Sequence, residues 1–416
     1  MNPYLLFILA ALAGAYALER IAEALDLRRL SPDVPEEFRG AYDPERYRRS
    51  QEYLRARTRF SIAADTLTTA FTVAFILLGG FGFVDRLARG FESGPIGTGL
   101  LFFGVLGLGN EFLGLPLSVY HTFVIEARFG FNKTTPRTFV LDLLKGWALA
   151  ALLGGALGSI LLKLFGEAGP GAWLWCWGAA TAFSLGVAFL APVLLLPLFN
   201  RFTPLPEGEL RSALEALARR EGFRLSGVFT MDGSRRSTKG NAFFTGFGRT
   251  RRIALYDTLV SKHPGEEIAA ILAHEIGHCR KRHVPIGMAI SVLLSGFMLF
   301  LLSRFLNNRE LFDAFQVADL SVHASLTFFG FLYAPLGLIL SLPRLALSRR
   351  FEREADEFAA RACGSGVALA AALRRLSADN LSNLTPHPFG VFLHHGHPPV
   401  LERIRFLQGL PCGESS

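Results

Sequence analysis

Seven apolar stretches, near residues 3–19, 61–84, 96–119, 143–164, 172–199, 284–306 and 324–346, constrain this chain more than any other feature. A helix needs about 20 apolar residues to cross a bilayer. Backbone groups inside hydrocarbon have no water to bond, so such stretches become helices rather than open strands. The expected fold class is therefore an all-α polytopic membrane protein with about seven transmembrane helices. The first stretch has no basic region before it and runs straight into charged sequence. It reads as a retained span, not a removable signal peptide.

The net charge of +8 raises the question of a nucleic-acid partner. Its distribution answers it. Residues 20–60, 120–145, 200–283 and 344–416 hold 38 of the 43 Lys and Arg, while the intervening loops hold only five. Membrane proteins keep Lys and Arg on the cytoplasmic side. The bias places the N-terminus outside and the large hydrophilic segments in the cytoplasm. No stripe of Arg and aromatic residues suggests nucleic-acid binding, so the expected partners are the lipid bilayer and a peptide or protein substrate. Cys176, Cys279, Cys363 and Cys412 show no paired spacing and read as thiols without a disulfide framework.

Four regions follow: 1–199 with five spans, 200–283, 284–346 with two spans, and 347–416. Region 200–283 opens with a helical pattern from Glu207 to Glu221, ended by Gly222. A hairpin is expected next, from Asn241 to Phe247, through a turn at 248–251, and back along Arg252–Tyr256. A second helix should run from about Pro264 to Arg282, Pro being a good first-turn residue. The last region reads as mostly helical, with a His- and Pro-rich loop at 386–399.

That second helix carries His274-Glu275-Ile276-Gly277-His278. Residues four apart share a helix face, so both imidazoles can reach one ion. Zinc suits such a pair, because it accepts nitrogen and carboxylate ligands and keeps a position open for water. Glu275 is placed to take a proton from that water. Cys279 points about 100° away and reads as packing, not as a ligand.

A third ligand should come from another element. Beyond the seventh apolar stretch lies Arg349-Arg350-Phe351-Glu352-Arg353-Glu354-Ala355-Asp356. Glu352 and Asp356 share a face, so one can bind metal while the other bonds a ligating His. Position alone also allows Glu354. A plain solvated helix with i,i+4 ion pairs would look similar.

At this point the sequence resembles the membrane zinc metalloproteases of the type-1 CAAX prenyl endopeptidase family. The resemblance runs over nearly the whole chain. It is carried by Pro116–Tyr120, Thr122–Glu126, Phe129–Thr135, Asn241–Phe247, His274–His278, Arg252–Leu259, the Glu352/Asp356 pair and His397-Pro-Pro-Val-Leu-Glu-Arg403. It implies one Zn2+ per chain on His274, His278 and Glu352, with Glu275 as base, and it leaves Glu354 out. Asp356 would support a ligand, and His397 and Arg403 would stabilise the oxyanion. Asn241, Ala242 and Phe243 would bind substrate as an added β-strand. It further implies seven helices enclosing a water-filled chamber, with a cytoplasmic, zincin-like α+β catalytic domain. Asn110 and Glu111, inside the third span, are then either chamber lining or buried partners, Lys145 being one choice for Glu111.

The implied activity is a zinc endopeptidase similar to those that remove the C-terminal tripeptide of prenylated proteins. A broad quality-control protease is the alternative, and a non-catalytic zinc-stabilised scaffold is the alternative of another class. Glu275 separates them, since a scaffold has no need of the base. The Ala-, Leu-, Gly- and Arg-rich composition and the end Gly-Glu-Ser-Ser lean towards a bacterial inner membrane; a eukaryotic source would place the chain in the endoplasmic reticulum.

Overall fold

The computed structural model describes residues 2–40, 42–223, 225–245 and 252–410. The expected turn at 248–251 and Cys412 lie outside the described residues. Seven helices are long and apolar enough to span a membrane: Pro3–Arg29, Pro44–Leu77, Gly94–Glu126, Pro136–Glu167, Gly169–Phe199, His283–Phe305 and Val322–Ala362. We number these the first to seventh spans.

Three of them start by one device, a polar cap followed by Pro at the first helical position. Asn2 accepts from Leu5 N (3.1 Å), Asp43 from Arg46 N (2.9 Å) and Thr135 from Thr138 N (3.1 Å). The cap satisfies a donor that the first turn leaves orphaned, and Pro loses nothing there. Most helices extend past the apolar stretches expected from sequence, because their ends continue into charged turns. The second span differs: it stops at Leu77, Gly79 adopts a left-handed φ of 73°, and Gly80–Arg89 forms a separate short helix.

The packing is uneven. Of the most apolar window in each span, only 0–17% is buried. A helix in a solid bundle buries a stripe at least about 100° wide, so these helices are not packed around a common core at mid-depth. Their cores lie at the two ends. At one end Ile8, Ile76, Phe81, Phe102, Phe312 and Phe328 form a cluster, and Phe165, Cys176, Leu299 and Leu302 a second. The largest cluster closes the opposite end. Between them the helices surround open space. Asn110 and Glu111 are both exposed at this depth. Glu111 accepts from Trp147 Nε1 of the fourth span at 3.4 Å, while Lys145 donates to Leu198 O at 2.7 Å, so the Glu111–Lys145 pairing is not made.

The large cluster draws on strands β2 (Gly227–Met231), β3 (Ala242–Thr245) and β4 (Arg252–Tyr256) and helices α1 (Glu209–Arg220), α2 (Gly265–Arg280), α3 (Val367–Asp379) and α5 (Val400–Gly409); β1 (Phe202–Pro204) adjoins it through the sheet, and α4 (Pro388–His394) packs on the first and seventh spans. The sheet order is β1-β2-β4-β3. The expected hairpin is present, with Phe243 opposite Ala254. Sequence reading missed β1 and β2, whose partner strands are distant in the chain, and it left the short helix α4 inside a loop. β4 is a central strand, parallel to β2, and its Ile253, Ala254 and Leu255 are buried. β3 is the edge. No disulfide joins the three described cysteines, and Cys279 packs against the core as expected.

Candidate metal centre

Two helices build the site. α2 presents His274 and His278 one turn apart, and the seventh span, which continues unbroken to Ala362, presents Glu352 and Asp356 one turn apart. They meet at Gly277. A Cβ there would lie 3.1 Å from both Ala355 Cα and Phe358 Cβ, and 3.3 Å from Ala355 O. The glycine inside the His-Glu-Ile-Gly-His motif therefore lets the two backbones approach closely enough for their side chains to converge.

The convergence is tight. His274 Nε2 lies 3.2 Å from His278 Nε2 and 3.5 Å from Glu352 Oε2, and His278 Nε2 lies 3.3 Å from Glu352 Oε1. A tetrahedral ion with bonds of about 2.0–2.1 Å separates its ligand atoms by about 3.3 Å, so the three donors fit such an ion. Glu352 Oε2 is buried and makes no well-aligned hydrogen bond. Yet His397 Nδ1 stands 2.8 Å from it and Arg403 Nη1 3.4 Å. A buried acceptor without a hydrogen bond, beside two imidazoles, is what a site built for a cation would contain.

The surroundings orient these donors. Asp356 Oδ1 is 2.8 Å from His274 Nδ1. Arg403 grips the same carboxylate as a fork, Nε to Oδ2 at 2.9 Å and Nη2 to Oδ1 at 2.6 Å. Burial by itself would depress the His274 imidazole, but the carboxylates of Asp356 and Glu352 outweigh it and hold the group up at about 9. For Glu275 burial wins, and its carboxyl is pushed up despite the attraction of His274 and His278. Among the described residues none hydrogen-bonds to the Glu275 carboxylate.

Every site residue singled out from sequence thus gathers at one end of the molecule. His274, Glu275, His278, Glu352, Asp356, His397 and Arg403 form one cluster. Asn241, Ala242 and Phe243 lie at the start of the edge strand β3, which touches α2. Two further groups were not anticipated. His283 is buried, with Nδ1 3.0 Å from His278 Nδ1 and Nε2 3.2 Å from Glu354 Oε2. Nothing in the spacing signals this. Glu126, Tyr53 and Lys239 form a second cluster. Tyr53 Oη donates to Glu126 Oε1 at 2.5 Å and Lys239 Nζ to Glu126 Oε2 at 2.9 Å. It ties the second and third spans to the segment before β3. The Phe129–Thr135 motif braces that segment too: Thr238 N donates to Phe131 O and Lys133 N to Arg236 O.

A membrane-spanning hollow, an Asp-supported His/His/Glu cluster and an adjacent unpaired carboxylate define the class, a membrane zinc metalloendopeptidase. Residues 24–201 match the family described as CAAX prenyl protease N-terminal, five membrane helices, and residues 204–410 match peptidase family M48. The chain belongs to this M48 family of CAAX prenyl proteases. It is 32% identical to the CAAX prenyl protease 1 homolog of Oryza sativa, over 98% of this chain and 97% of that one. It is 33% identical to CAAX prenyl protease 1 of Saccharomyces cerevisiae, over 94% and 91%. The crystal structure of S. mikatae Ste24p superposes with a TM-score of 0.92 at 31% identity, covering 98% of this chain and 99% of that chain. The chain is accordingly an integral, multi-pass membrane protein and a metal-dependent endopeptidase. These relatives are eukaryotic and lend no support to a bacterial inner membrane.

Proposed function

We propose that His274, His278 and Glu352 hold one zinc ion and that Glu275 is the general base of peptide-bond hydrolysis. The mutual distances of the three donors, with a carboxylate beside them that no described residue engages, carry this reading. When bound, zinc lowers the pKa of a water to about 7 and polarises the scissile carbonyl. Glu275 takes the proton of the attacking water and returns it to the leaving amine. Burial raises its pKa above the ordinary carboxylate value, which makes it a stronger base for that proton. Asp356 fixes the His274 tautomer by accepting from Nδ1–H. Arg403 spends its fork on Asp356 and so acts as the clamp of that pair. His397, whose Nδ1 stands against Glu352 while its side chain is 71% exposed, is the donor on the open side of the centre and meets the developing oxyanion.

The substrate enters as a strand. β3 pairs only with β4 among the described residues, so its outer edge offers backbone groups to an extended peptide beside Asn241, Ala242 and Phe243. Because the chain belongs with CAAX prenyl proteases, the proposed substrate is a prenylated C-terminal peptide. The concentration of Lys and Arg at the catalytic end supports a cytoplasmic active site. Regions 200–283 and 347–416 then act as one catalytic unit split by two spans.

The test compares a prenylated CAAX peptide with its unprenylated twin, using protein purified in detergent, with a chelator and Glu275→Gln as controls. Cleavage of the prenylated peptide alone, lost in both controls, is expected. Equal cleavage of both would move the substrate to broad quality control. No cleavage of either by protein that binds zinc stoichiometrically would favour the scaffold.

A further inference from the structure

We propose that His283 is a positioning residue for the metal centre, holding His278 in its ligating tautomer through a relay that ends on Glu354. The proposal rests on His278 being a metal ligand. If its Nε2 faces the ion, its proton must sit on Nδ1, and the acceptor facing Nδ1 is His283 Nδ1 at 3.0 Å. That assignment leaves the His283 proton on Nε2, where Glu354 Oε2 accepts it at 3.2 Å. One arrangement of protons therefore satisfies every nitrogen along Glu354–His283–His278, with no donor facing a donor. The two imidazoles of the centre are supported differently. His274 bonds a buried carboxylate directly, whereas His278 reaches a more exposed one through a second ring.

The backbone is shaped for this contact. In a continuous helix His283 would lie about 140° around the axis from His278. Instead α2 ends at Arg280, Arg282 takes a left-handed φ of 60°, and His283 opens the sixth span. A non-glycine residue held there stores strain that the fold must offset. The break turns the His283 ring back against His278, edge to face with centroids 5.1 Å apart. Phe351 stacks on the His283 ring at 4.1 Å and 9°. Arg350 Nε also reaches Glu354, at 2.9 Å, so one stretch of the seventh span supplies the third ligand, the ring that clamps the relay and the relay's last acceptor.

Metal affinity is the readout, measured by competition against a chromophoric zinc chelator with full-length protein in detergent. His283→Ala and His283→Phe are expected to weaken zinc binding by about 10- to 100-fold, the usual effect of losing a partner behind a ligand. His283→Phe keeps the stack on Phe351, so packing alone would leave its affinity intact. His283→Asp, whose carboxylate can accept from His278 Nδ1–H, is expected to recover most of the loss, and Glu354→Gln to show the smallest change. Wild-type affinity in His283→Phe, or no recovery in His283→Asp, would overturn the relay. His278→Ala serves as the reference. If it binds zinc undiminished, the ligand assignment falls and the relay with it; if it loses zinc while His283→Phe does not, the relay alone falls.

Discussion

The two ends of this molecule and its middle obey different packing rules. At the catalytic end, Asp356 and Glu352 are buried and a methyl group added at Gly277 would press on Ala355 and Phe358 at 3.1 Å. In the third span, a methyl group added at Gly104, Gly107, Gly109 or Gly114 would meet nothing within 4 Å, and Glu111 is exposed. The contrast teaches where precision is stored. A hydrolytic centre needs donors held within a fraction of an ångström, and only close-packed backbone supplies that. A hollow needs the reverse, helices that touch at their ends and leave their middles apart.

The most severe way to break the comparison is to remove a carboxylate from each region. Glu275→Gln should lower the cleavage rate about a hundred- to ten-thousand-fold with zinc content unchanged. Glu111→Gln should leave the rate within about twofold, because the group touches no reacting atom. Equal losses in a peptide-cleavage assay would show that the hollow takes part in the chemistry.

Proton linkage gives the next effect. Folded, metal-free protein keeps the His274 proton to about pH 9, whereas an unfolded imidazole loses it near about 6.5. The folded state therefore binds more protons in that window. This contribution to stability is complete below about pH 6.5 and is lost as pH rises through about 9. Metal must expel the proton. Calorimetry in buffers of different ionisation enthalpy should show about one proton released per ion at about pH 8, and affinity should rise about tenfold per unit below about pH 9. Metal uptake without proton release would contradict the His274 environment described here.

A smaller effect separates the glycines. Gly277→Ala should destabilise the catalytic end by about 1–3 kcal/mol through overpacking, read as a lower unfolding temperature and weaker zinc binding. Gly107→Ala should be neutral or slightly stabilising, since Ala is the better helix former by about 1 kcal/mol. The least effect is expected at the brace of β3. Glu126→Gln leaves Lys239 without its carboxylate, and should raise KM more than it changes kcat if, as proposed, the edge strand binds substrate and does no chemistry. A fall in kcat with KM unchanged would argue that β3 positions the scissile bond and not only the chain.

Much of this is legible in the sequence. Span number, hairpin strands, the helix bearing His274 and His278, and the Glu352/Asp356 face all arise from local periodicity, which a single segment carries by itself. β1 and β2 are not legible, because each is short and finds its partner far away in the chain. The Glu354–His283 relay is hidden for a sharper reason. Helical spacing argues against it, and only the left-handed turn at Arg282 reverses that geometry. The Phe129–Thr135 motif can be recognised in the sequence, but its hydrogen bonds to the segment before β3 are what explain it.

By itself the sequence determined the seven helices, the side on which charge collects and the residue types able to hold a metal. These follow from hydrophobicity and from the chemistry of His and Glu, properties of residues taken singly or a turn apart. The tertiary structure decided which of Glu352, Glu354 and Asp356 face the imidazoles, that the helices stand apart at mid-depth, and that a sheet edge lies beside the centre. Those outcomes depend on how separate helices meet, at contacts such as Gly277 against Ala355, and no local pattern specifies the distance between two backbones.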